Sequence, residues 1–263
     1  MEKLGIIGLG NMGGAIAQGL VPSKTLEILG FDPALATQTK MAHIMTVLPS
    51  GQDVAQQADI LLLAIKPQLM RQVLTSLAPH LRPETCLVSI AAGITLKQLV
   101  EWSGQICPVV RIMPNTPALV GQGVYALCFD HELLTEAHKE SILQIFTSIG
   151  QAHVLPESLF DAYTGLIGCG PAYVFAFMEG LIDAGVTLGL TRDQATQMVK
   201  GLILGSAHMA EAKDAHPTLL KEMVTSPGGA TITGLNTLDE HRFKFAISQA
   251  VHTAAQKSKK LGD

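Results

Sequence analysis

The segment Leu4–Leu20 reads LGIIGLGNMGGAIAQGL and decides the fold of the first half of this chain. A short apolar run leads directly into Gly8–Gly13, which has the spacing GxGxxG, and apolar residues then recur at helical spacing. A strand, a glycine turn and a helix in this order begin a Rossmann dinucleotide-binding unit. Gly8 permits a sharp turn, Gly10 lets a pyrophosphate approach the backbone, and Gly13 permits close packing of a helix whose N-terminal N–H groups face the phosphates.

Apolar runs and helical patterns alternate from this segment to about Leu155. The clearest strand is Ile60–Ile65 (ILLLAI), which is apolar throughout, as buried parallel strands are. The alternation predicts a doubly wound, mostly parallel sheet with two further strands at one edge. Beyond Leu155 only helical patterns continue. We therefore predict an α/β Rossmann domain over residues 1–155 and an all-α dimerisation domain over residues 156–263.

Low charge characterises the chain, since 15% of its 263 residues are charged and 48% are hydrophobic. An average soluble protein has roughly 25% charged residues. The chain therefore has to bury more apolar surface than the core of one subunit requires. In addition, glycine and alanine recur in the helical half. We expect helices packed between two subunits, although tight packing within one subunit would use the same residues.

The charge pattern does not suggest nucleic acid as a partner, because the net charge is −4 and the only basic run is Lys257, Lys259 and Lys260. These three lysines fit a solvated helix end. Prolines, glycines and polar residues interrupt the longest uncharged runs, which argues against a membrane span. Because the start MEKLG carries no secretory leader, we expect a cytoplasmic protein.

Metal binding is not expected either. The four cysteines stand alone in the sequence, without a CxxC or another paired spacing, and are typical of buried thiols in a reducing compartment. The histidines form no cluster with the spacing of metal ligands.

Ligands of open α/β sheets bind at the carboxyl ends of the strands. The residues at those ends include Asp32 and Lys66. An acidic residue at the position of Asp32 bonds the adenosine ribose and disfavours a 2′-phosphate, which favours NAD, whereas the alternative role is a helix cap. No arginine follows Asp32 closely, and Lys40 is the nearest base. Lys66 either contacts an anion of the cofactor or substrate or is a solvated strand-end lysine.

One segment of the helical half, Thr225–Ile232, reads TSPGGATI. Proline and two glycines before a helical run predict an exposed turn whose free N–H groups can hold an anion, most plausibly a carboxylate. Ser226 and Thr231 add neutral hydroxyls, and the segment contains no acid, base or thiol. An ordinary loop at the start of a helix is the alternative interpretation.

This loop resembles the signature of the pyrroline-5-carboxylate reductase family, the enzymes of the last step of proline biosynthesis. Five other segments resemble the family in the same order along the chain. The six segments are GLGNMG (8–13), AIKPQ (64–68), SIAAG (89–93), RIMPNTP (111–117), TGLIGCGPAY (164–173) and TSPGGAT (225–231). The resemblance implies a C-terminal helical dimerisation domain, a dimer or a decamer of dimers, and NADPH as the usual cofactor. Asp32 departs from the family pattern and leaves NADH possible.

The resemblance also implies roles for individual residues. The backbone of Gly229, Ala230 and Thr231 would receive the substrate carboxylate, the hydroxyl of Thr231 would reach the ring nitrogen, and Ser226 would assist it. Asn115 would lie near the nicotinamide. With Asp32 added from its position, the expected cofactor-binding residues are Gly8, Leu9, Gly10, Asn11, Met12, Gly13, Asp32, Ala64, Ile65, Lys66, Pro67, Ala91, Ala92, Gly93 and Asn115.

Two other functions are compatible with the first half of the chain. A β-hydroxyacid dehydrogenase resembles G-x-x-G-x-G-x-x-x-K, but here Val174 stands where the catalytic lysine belongs. A nucleotide sensor without catalysis would share the glycine turn but has no need of a second anion site. The Pro-Gly-Gly segment therefore discriminates among the three.

Overall fold

The structure, a computed structural model, describes residues 1–23, 25–213 and 215–262. The chain forms two compact units. The first unit comprises Met1–Cys169 together with the end of the chain from Ala254, and the second comprises Gly170–Thr253. The two units are described separately below.

The division between the units falls after Cys169 rather than after Leu155. Phe160 and Tyr163 are buried, with exposures of 1% and 6%, and both belong to a hydrophobic cluster of the first unit. This packing keeps the beginning of the helical part of the chain with the sheet. The predicted domains 1–155 and 156–263 stay a prediction.

Eight strands form one sheet among the described residues of the first unit, in the order β3-β2-β1-β4-β5-β6-β7-β8. Neighbouring strands are parallel except for β6 and β7, which are antiparallel. This is the predicted doubly wound, mostly parallel sheet. The strands are β1 (Glu2–Ile7), β2 (Leu26–Phe31), β3 (Thr46–Val47), β4 (Ile60–Leu63), β5 (Cys86–Ser89), β6 (Val109–Met113), β7 (Gly123–Cys128) and β8 (Gly150–Val154).

Helices connect the strands of the first unit. They are α1 (Asn11–Leu20), α2 (Leu35–Met41), α3 (Gly51–Gln57), α4 (Pro67–Leu77), α5 (Leu96–Trp102), α6 (Glu136–Thr147) and α7 (Phe160–Tyr163). A π-helical segment, Thr164–Gly168, follows α7. The start of α5 is fixed by a reciprocal cap, in which the Thr95 hydroxyl accepts the Gln98 N–H at 3.2 Å and the Gln98 side chain accepts the Thr95 N–H at 2.8 Å.

The central strand β4 is buried on both faces. The side chains of Ile60 and Leu62 pack in one hydrophobic cluster and those of Leu61 and Leu63 in a second cluster. Alternate side chains of a strand point to opposite faces of the sheet. The continuous apolar run in this part of the sequence therefore has the physical cause predicted for it, although the strand ends at Leu63 rather than Ile65.

The second unit is helical in its described residues, as predicted. Its helices are α8 (Gly170–Thr187), α9 (Arg192–Lys213), α10 (Pro217–Met223), α11 (Ala230–Glu240) and the first part of α12 (Phe243–Gly262).

Few side chains of the second unit are buried. Among its described residues only Ala195 and Val199 are buried, with exposures of 2% and 7%. Large apolar side chains are exposed instead, among them Phe175 at 63% and Leu204 at 60%. Exposed apolar surface on this scale is typical of an interface with another protein.

The stretch Glu157–Thr187 is long and apolar enough, by length and composition alone, to cross a membrane, with a mean hydropathy of 1.5. It is not one regular α-helix, since it contains α7, the π-helical segment and a new helix start at Gly170-Pro171. The expected absence of a membrane partner stays a prediction.

Candidate functional site

The glycine turn after β1 has the conformation that its three glycines were expected to allow. Gly8 has φ +94°, and a Cβ there would lie 2.5 Å from the carbonyl oxygen of Ala64. A Cβ at Gly13 would lie 2.0 Å from the carbonyl oxygen of Gly8. No described atom lies within 4 Å of a Cβ placed at Gly10. Two of the glycines therefore permit close packing, and the third leaves space open beside the backbone.

That open space lies at the N-terminus of α1. Gly10 is the N-cap residue, no side chain caps the helix, and its first turn contains no acidic residue. The first N–H groups of a helix have no partner within the helix and attract anions. The space beside Gly10 thus fits the phosphates of a dinucleotide, which a Cβ at this position would obstruct.

The carboxylate of Asp32 joins the end of β2 to the glycine turn. Its Oδ2 accepts the backbone N–H of Leu9 at 2.8 Å, and its Oδ1 accepts the N–H of Ala34 at 2.9 Å. The bond to Ala34, at the start of α2, resembles the helix-capping role considered above. The bond to Leu9 is a role that the sequence pattern did not reveal, because it joins residues 23 positions apart.

The expected cofactor-binding residues of the first unit follow strands at one edge of the sheet. Four neighbouring strands, in the order β2-β1-β4-β5, are each followed by a group of these residues. The groups are Asp32 after β2, Gly8–Gly13 after β1, Ala64–Pro67 after β4 and Ala91–Gly93 after β5. Asn115 follows β6, which is the next strand. The fold therefore places the expected cofactor-binding residues of the first unit along one edge of the sheet.

A cleft of about 490 Å³ lies at the end of β4 and β5 in the first unit. Its walls include Pro67, Gln68, Ala92, Gly93, Cys169 and Lys257. The sequence predicted a solvated helix end for Lys257 and a buried thiol for Cys169. Ala254, Lys257 and Ser258 all line the cleft. Their spacing of three and four residues places them on one face of a helix, and this spacing could have indicated that Lys257 belongs to a shared surface.

Asn115 is held firmly at the end of β6. Its side chain is 7% exposed, its Oδ1 accepts the Val124 N–H at 2.9 Å, and its Nδ2 donates to the Ile167 carbonyl at 3.4 Å. The amide thus joins β6, β7 and the π-helical segment. Its contact with a nicotinamide stays a prediction.

Lys66 is exposed and precedes Pro67, the first residue of α4. It takes part in none of the ion pairs between described residues. Its charge is therefore available to an anion at the edge of the sheet.

A second, smaller pocket of about 260 Å³ lies between α1 and α2. The glycine turn contributes Leu9, Gly10 and Asn11 to its wall, and α2 contributes Thr37 and Lys40.

A partly buried ion pair supports the same end of the first unit, and its residues line neither pocket. The Arg111 guanidinium is 2.8 Å from Glu157 Oε1 and lies over the Phe160 ring, 4.7 Å from its centroid. Glu157 also accepts the N–H of Leu96, at the start of α5. Sequence reasoning gave these residues no role, and the structure assigns them to stability.

The Pro-Gly-Gly turn lies in the second unit, before α11. Gly228 has φ +66°, and the Gly229 N–H donates to the Ser226 carbonyl at 3.1 Å. A Cβ at Gly229 would lie 2.4 Å from Ser226 Oγ, so the Ser226 hydroxyl folds back over the start of the helix.

No side chain caps α11, and Ala230 and Thr231 are exposed in its first turn. The Thr231 hydroxyl makes no hydrogen bond among the described residues. The segment therefore places the first N–H groups of α11 and the Thr231 hydroxyl at one helix start, whereas the Gly229 N–H, which was expected to be free, donates to the Ser226 carbonyl. Anion binding at this turn stays a prediction.

Three of the four cysteines are buried, whereas Cys169 is partly exposed and so differs from the buried thiol expected for it. Burial raises the pKa of Cys86 to about 12, of Cys107 to about 11 and of Cys128 to about 12. No group of three or more His, Cys, Asp or Glu side chains among the described residues could hold a metal ion. The expectation of no metal site stays a prediction.

Comparison with known families supports both halves of this description. Residues 157–261 match the family described as pyrroline-5-carboxylate reductase dimerisation, and residues 3–93 match the family described as NADP oxidoreductase, coenzyme F420-dependent.

Curated relatives match along almost the whole chain. The pyrroline-5-carboxylate reductase of Glycine max is 41% identical, over 98% of this chain and 95% of the relative. The pyrroline-5-carboxylate reductase of Escherichia coli K12 is 38% identical, over 99% of this chain and 98% of the relative.

Solved structures agree with the sequence relatives. A crystal structure of pyrroline carboxylate reductase from Plasmodium falciparum with NADP bound has a TM-score of 0.89 and 35% identity, and covers 100% of this chain and 98% of that chain. A 3-hydroxyisobutyrate dehydrogenase from Mycobacterium tuberculosis has a TM-score of 0.56 at 15% identity over 76% of this chain and 70% of that chain, which shows a shared fold alone. With relatives of this identity over nearly its full length, the chain belongs to the pyrroline-5-carboxylate reductase family.

Proposed function

We propose that the protein transfers a hydride from NADPH to the cyclic imine 1-pyrroline-5-carboxylate and so forms L-proline, with NADH as a possible second donor. The observation that carries this proposal is the presence of two helix starts that have a glycine N-cap and no side-chain cap, in a chain that resembles these reductases over its full length. Such starts are suited to anions. One is the glycine turn before α1, and the other is the turn before α11. A nucleotide sensor would need only the first.

The dinucleotide binds along the edge of the sheet in this proposal. The N–H groups after Gly10 hold the pyrophosphate, and Lys66 contributes a positive charge. Ala64–Pro67 and Ala91–Gly93 line the path towards the nicotinamide, which supplies the hydride when it is bound. Support comes from the relative that was solved with NADP.

The substrate carboxylate binds at the turn of Gly229, Ala230 and Thr231. The Gly229 N–H already donates to the Ser226 carbonyl, so the N–H groups of Ala230 and Thr231 are the ones that receive the carboxylate. The Thr231 hydroxyl then hydrogen-bonds the ring nitrogen, and Ser226 helps to fix the turn by folding over Gly229. The hydride adds to the imine carbon, and the nitrogen receives a proton. If the imine binds as the iminium ion, this proton is already present, so binding and orientation lower the barrier without a dedicated acid.

The helical unit mediates self-association in this proposal, as a dimer or as a decamer of dimers. The support is its exposed apolar surface, with only Ala195 and Val199 buried among its described residues, and its match to a dimerisation family. We further propose a cytoplasmic protein with no nucleic-acid, membrane or metal partner.

The direct test follows the absorbance of the reduced nicotinamide in the purified full-length protein. We expect consumption of NADPH when 1-pyrroline-5-carboxylate is added, with proline as the product. In a separate arm, 3-hydroxy acids with oxidised cofactor test the dehydrogenase alternative. Consumption in that arm alone would overturn the proposal, and no consumption in either arm would favour the sensor.

A further inference from the structure

We propose that Lys40, assisted by Thr37, binds the ribose 2′-phosphate of NADPH in the pocket between α1 and α2, and that Asp32 serves to hold the glycine turn rather than to select NADH. This inference rests on the proposed use of a dinucleotide.

The carboxylate of Asp32 is already bonded to the backbone. An acidic residue at the end of β2 favours NAD when its carboxylate is free to bond the ribose. Here the two carboxylate oxygens accept the N–H groups of Leu9 and Ala34, at 2.8 and 2.9 Å. Both charge-assisted bonds hold the carboxylate against the protein backbone, and the two N–H dipoles partly compensate its charge. The usual reason for rejecting a 2′-phosphate is therefore weakened in this chain.

The pocket lies beside the positions expected for the pyrophosphate and the adenosine ribose. Its wall includes Leu9 and Gly10, and Gly10 stands where the pyrophosphate is expected. The opposite wall is α2, the helix that follows Asp32 and therefore begins where the adenosine ribose is expected. A phosphate on the 2′ position of that ribose would extend towards this helix.

Lys40 supplies the positive charge of the proposed phosphate site. Lys40 lies in the last turn of α2, is exposed, and takes part in none of the ion pairs between described residues. Thr37 precedes it by one helical turn on the same wall of the pocket. A free ammonium and a hydroxyl are donors suited to a phosphate, and the lysine supplies the charge that an arginine supplies in other NADP sites. The competing role of Lys40 is a favourable interaction with the C-terminal end of α2, which would need no ligand.

The experiment measures ligand binding to the full-length protein by calorimetry, without hydride transfer. The two probes are adenosine 2′,5′-bisphosphate and adenosine 5′-monophosphate, which differ in the 2′-phosphate. We expect the wild-type protein to bind the bisphosphate more tightly. Lys40→Gln should weaken bisphosphate binding about tenfold or more, as expected for loss of one charge-assisted hydrogen bond, with the monophosphate unchanged.

Two further variants separate binding from stability. Lys40→Arg should keep the preference for the bisphosphate, and Lys139→Gln, which removes a cation from α6 of the same unit, should leave both affinities unchanged. Equal weakening of both probes in Lys40→Gln, or an unchanged bisphosphate affinity, would overturn the inference. Failure to reduce 1-pyrroline-5-carboxylate would count against the proposed function, and the preference between the two probes would still report on Lys40.

Discussion

The Oδ2 atom of Asp32 accepts a hydrogen bond of 2.8 Å from the backbone N–H of Leu9. Leu9 lies between Gly8 and Gly10, so this bond fixes the middle of the glycine turn. The N–H of Gly8 in turn donates to the Phe31 carbonyl at 2.9 Å, directly before Asp32. The end of β2 therefore sets the conformation of the turn that is expected to hold the pyrophosphate.

Replacing Asp32 with alanine should destabilise the protein and weaken dinucleotide binding together. The substitution leaves the N–H groups of Leu9 and Ala34 without their carboxylate partner. Loss of hydrogen bonds to a charged group costs about 1.5–3 kcal/mol each when buried and less where water can replace it. We expect the free energy of unfolding to fall by about 1–3 kcal/mol in chemical denaturation, and NADH and NADPH to lose affinity alike.

Glu84→Ala is the matched control, because it removes an exposed carboxylate from the same unit. It should change neither stability nor affinity. A normal free energy of unfolding in Asp32→Ala would show that the turn keeps its conformation without this bond.

Two alanine substitutions in the glycine turn should differ in how strongly they affect stability and NADPH binding. Gly13→Ala places a Cβ 2.0 Å from the Gly8 carbonyl, so α1 has to move and the protein should lose stability. Gly10→Ala meets no described atom within 4 Å, so it should cost about 1 kcal/mol or less, the usual cost of alanine at an N-cap.

The Gly10→Ala variant should nevertheless bind NADPH weakly, since its methyl group occupies the space expected for the pyrophosphate. The denaturation midpoint measures the stability of each variant, and the dissociation constant measures its affinity for NADPH. Full NADPH affinity in Gly10→Ala would place the pyrophosphate elsewhere.

Most of the fold could be predicted from the sequence because the patterns that mark its strands, turns and helices lie within short segments of the chain. The apolar run of β4 reflects burial on both faces, and the glycine turn is recognised by the spacing of its three glycines. The order of strand, turn and helix could therefore be predicted from adjacent residues.

The unpredicted features all depend on contacts between distant residues. Asp32 bonds Leu9 across 23 positions, and Asn115 bonds the Ile167 carbonyl across 52 positions. Lys257 lines the cleft because the chain returns to the first unit at Ala254. No periodicity or spacing records such pairings, since each depends on how the completed elements pack.

Thr231→Ala should lower turnover by about a hundredfold, the effect expected when a donor aimed at the reacting group is removed. The affinity for NADPH should stay nearly unchanged, because Thr231 belongs to the turn before α11 and not to the glycine turn. Steady-state kinetics and direct NADPH binding check the two expectations separately.

Thr237→Ala provides the control on the same helix. Its hydroxyl donates to the Thr233 carbonyl at 3.3 Å, so its removal should alter the helix slightly and leave turnover near that of the wild type. Equal turnover in Thr231→Ala and the wild type would remove Thr231 from the catalytic residues.

Cys169 should be the cysteine that thiol reagents modify under native conditions. It is partly exposed and lines the cleft at the ends of β4 and β5, whereas burial raises the pKa of Cys86, Cys107 and Cys128 well above neutrality. If NADPH occupies this cleft, it should slow the alkylation of Cys169. Mass spectrometry after limited alkylation, with and without NADPH, measures both effects, and Cys169→Ser should abolish the labelling.

The stability of the first unit should decrease as the pH falls below about 6.5, in part because of His131. Its Nδ1 accepts the Val109 N–H at 3.1 Å, and burial lowers the pKa of His131 below the ordinary value of 6.5. Between the folded and the unfolded pKa the unfolded chain binds more protons, so the free energy of unfolding rises with pH through this window.

His131→Asn keeps an acceptor near the Val109 N–H but cannot titrate, and should reduce the dependence of the denaturation midpoint on pH. An unchanged pH dependence in His131→Asn would mean that other groups cause the loss of stability.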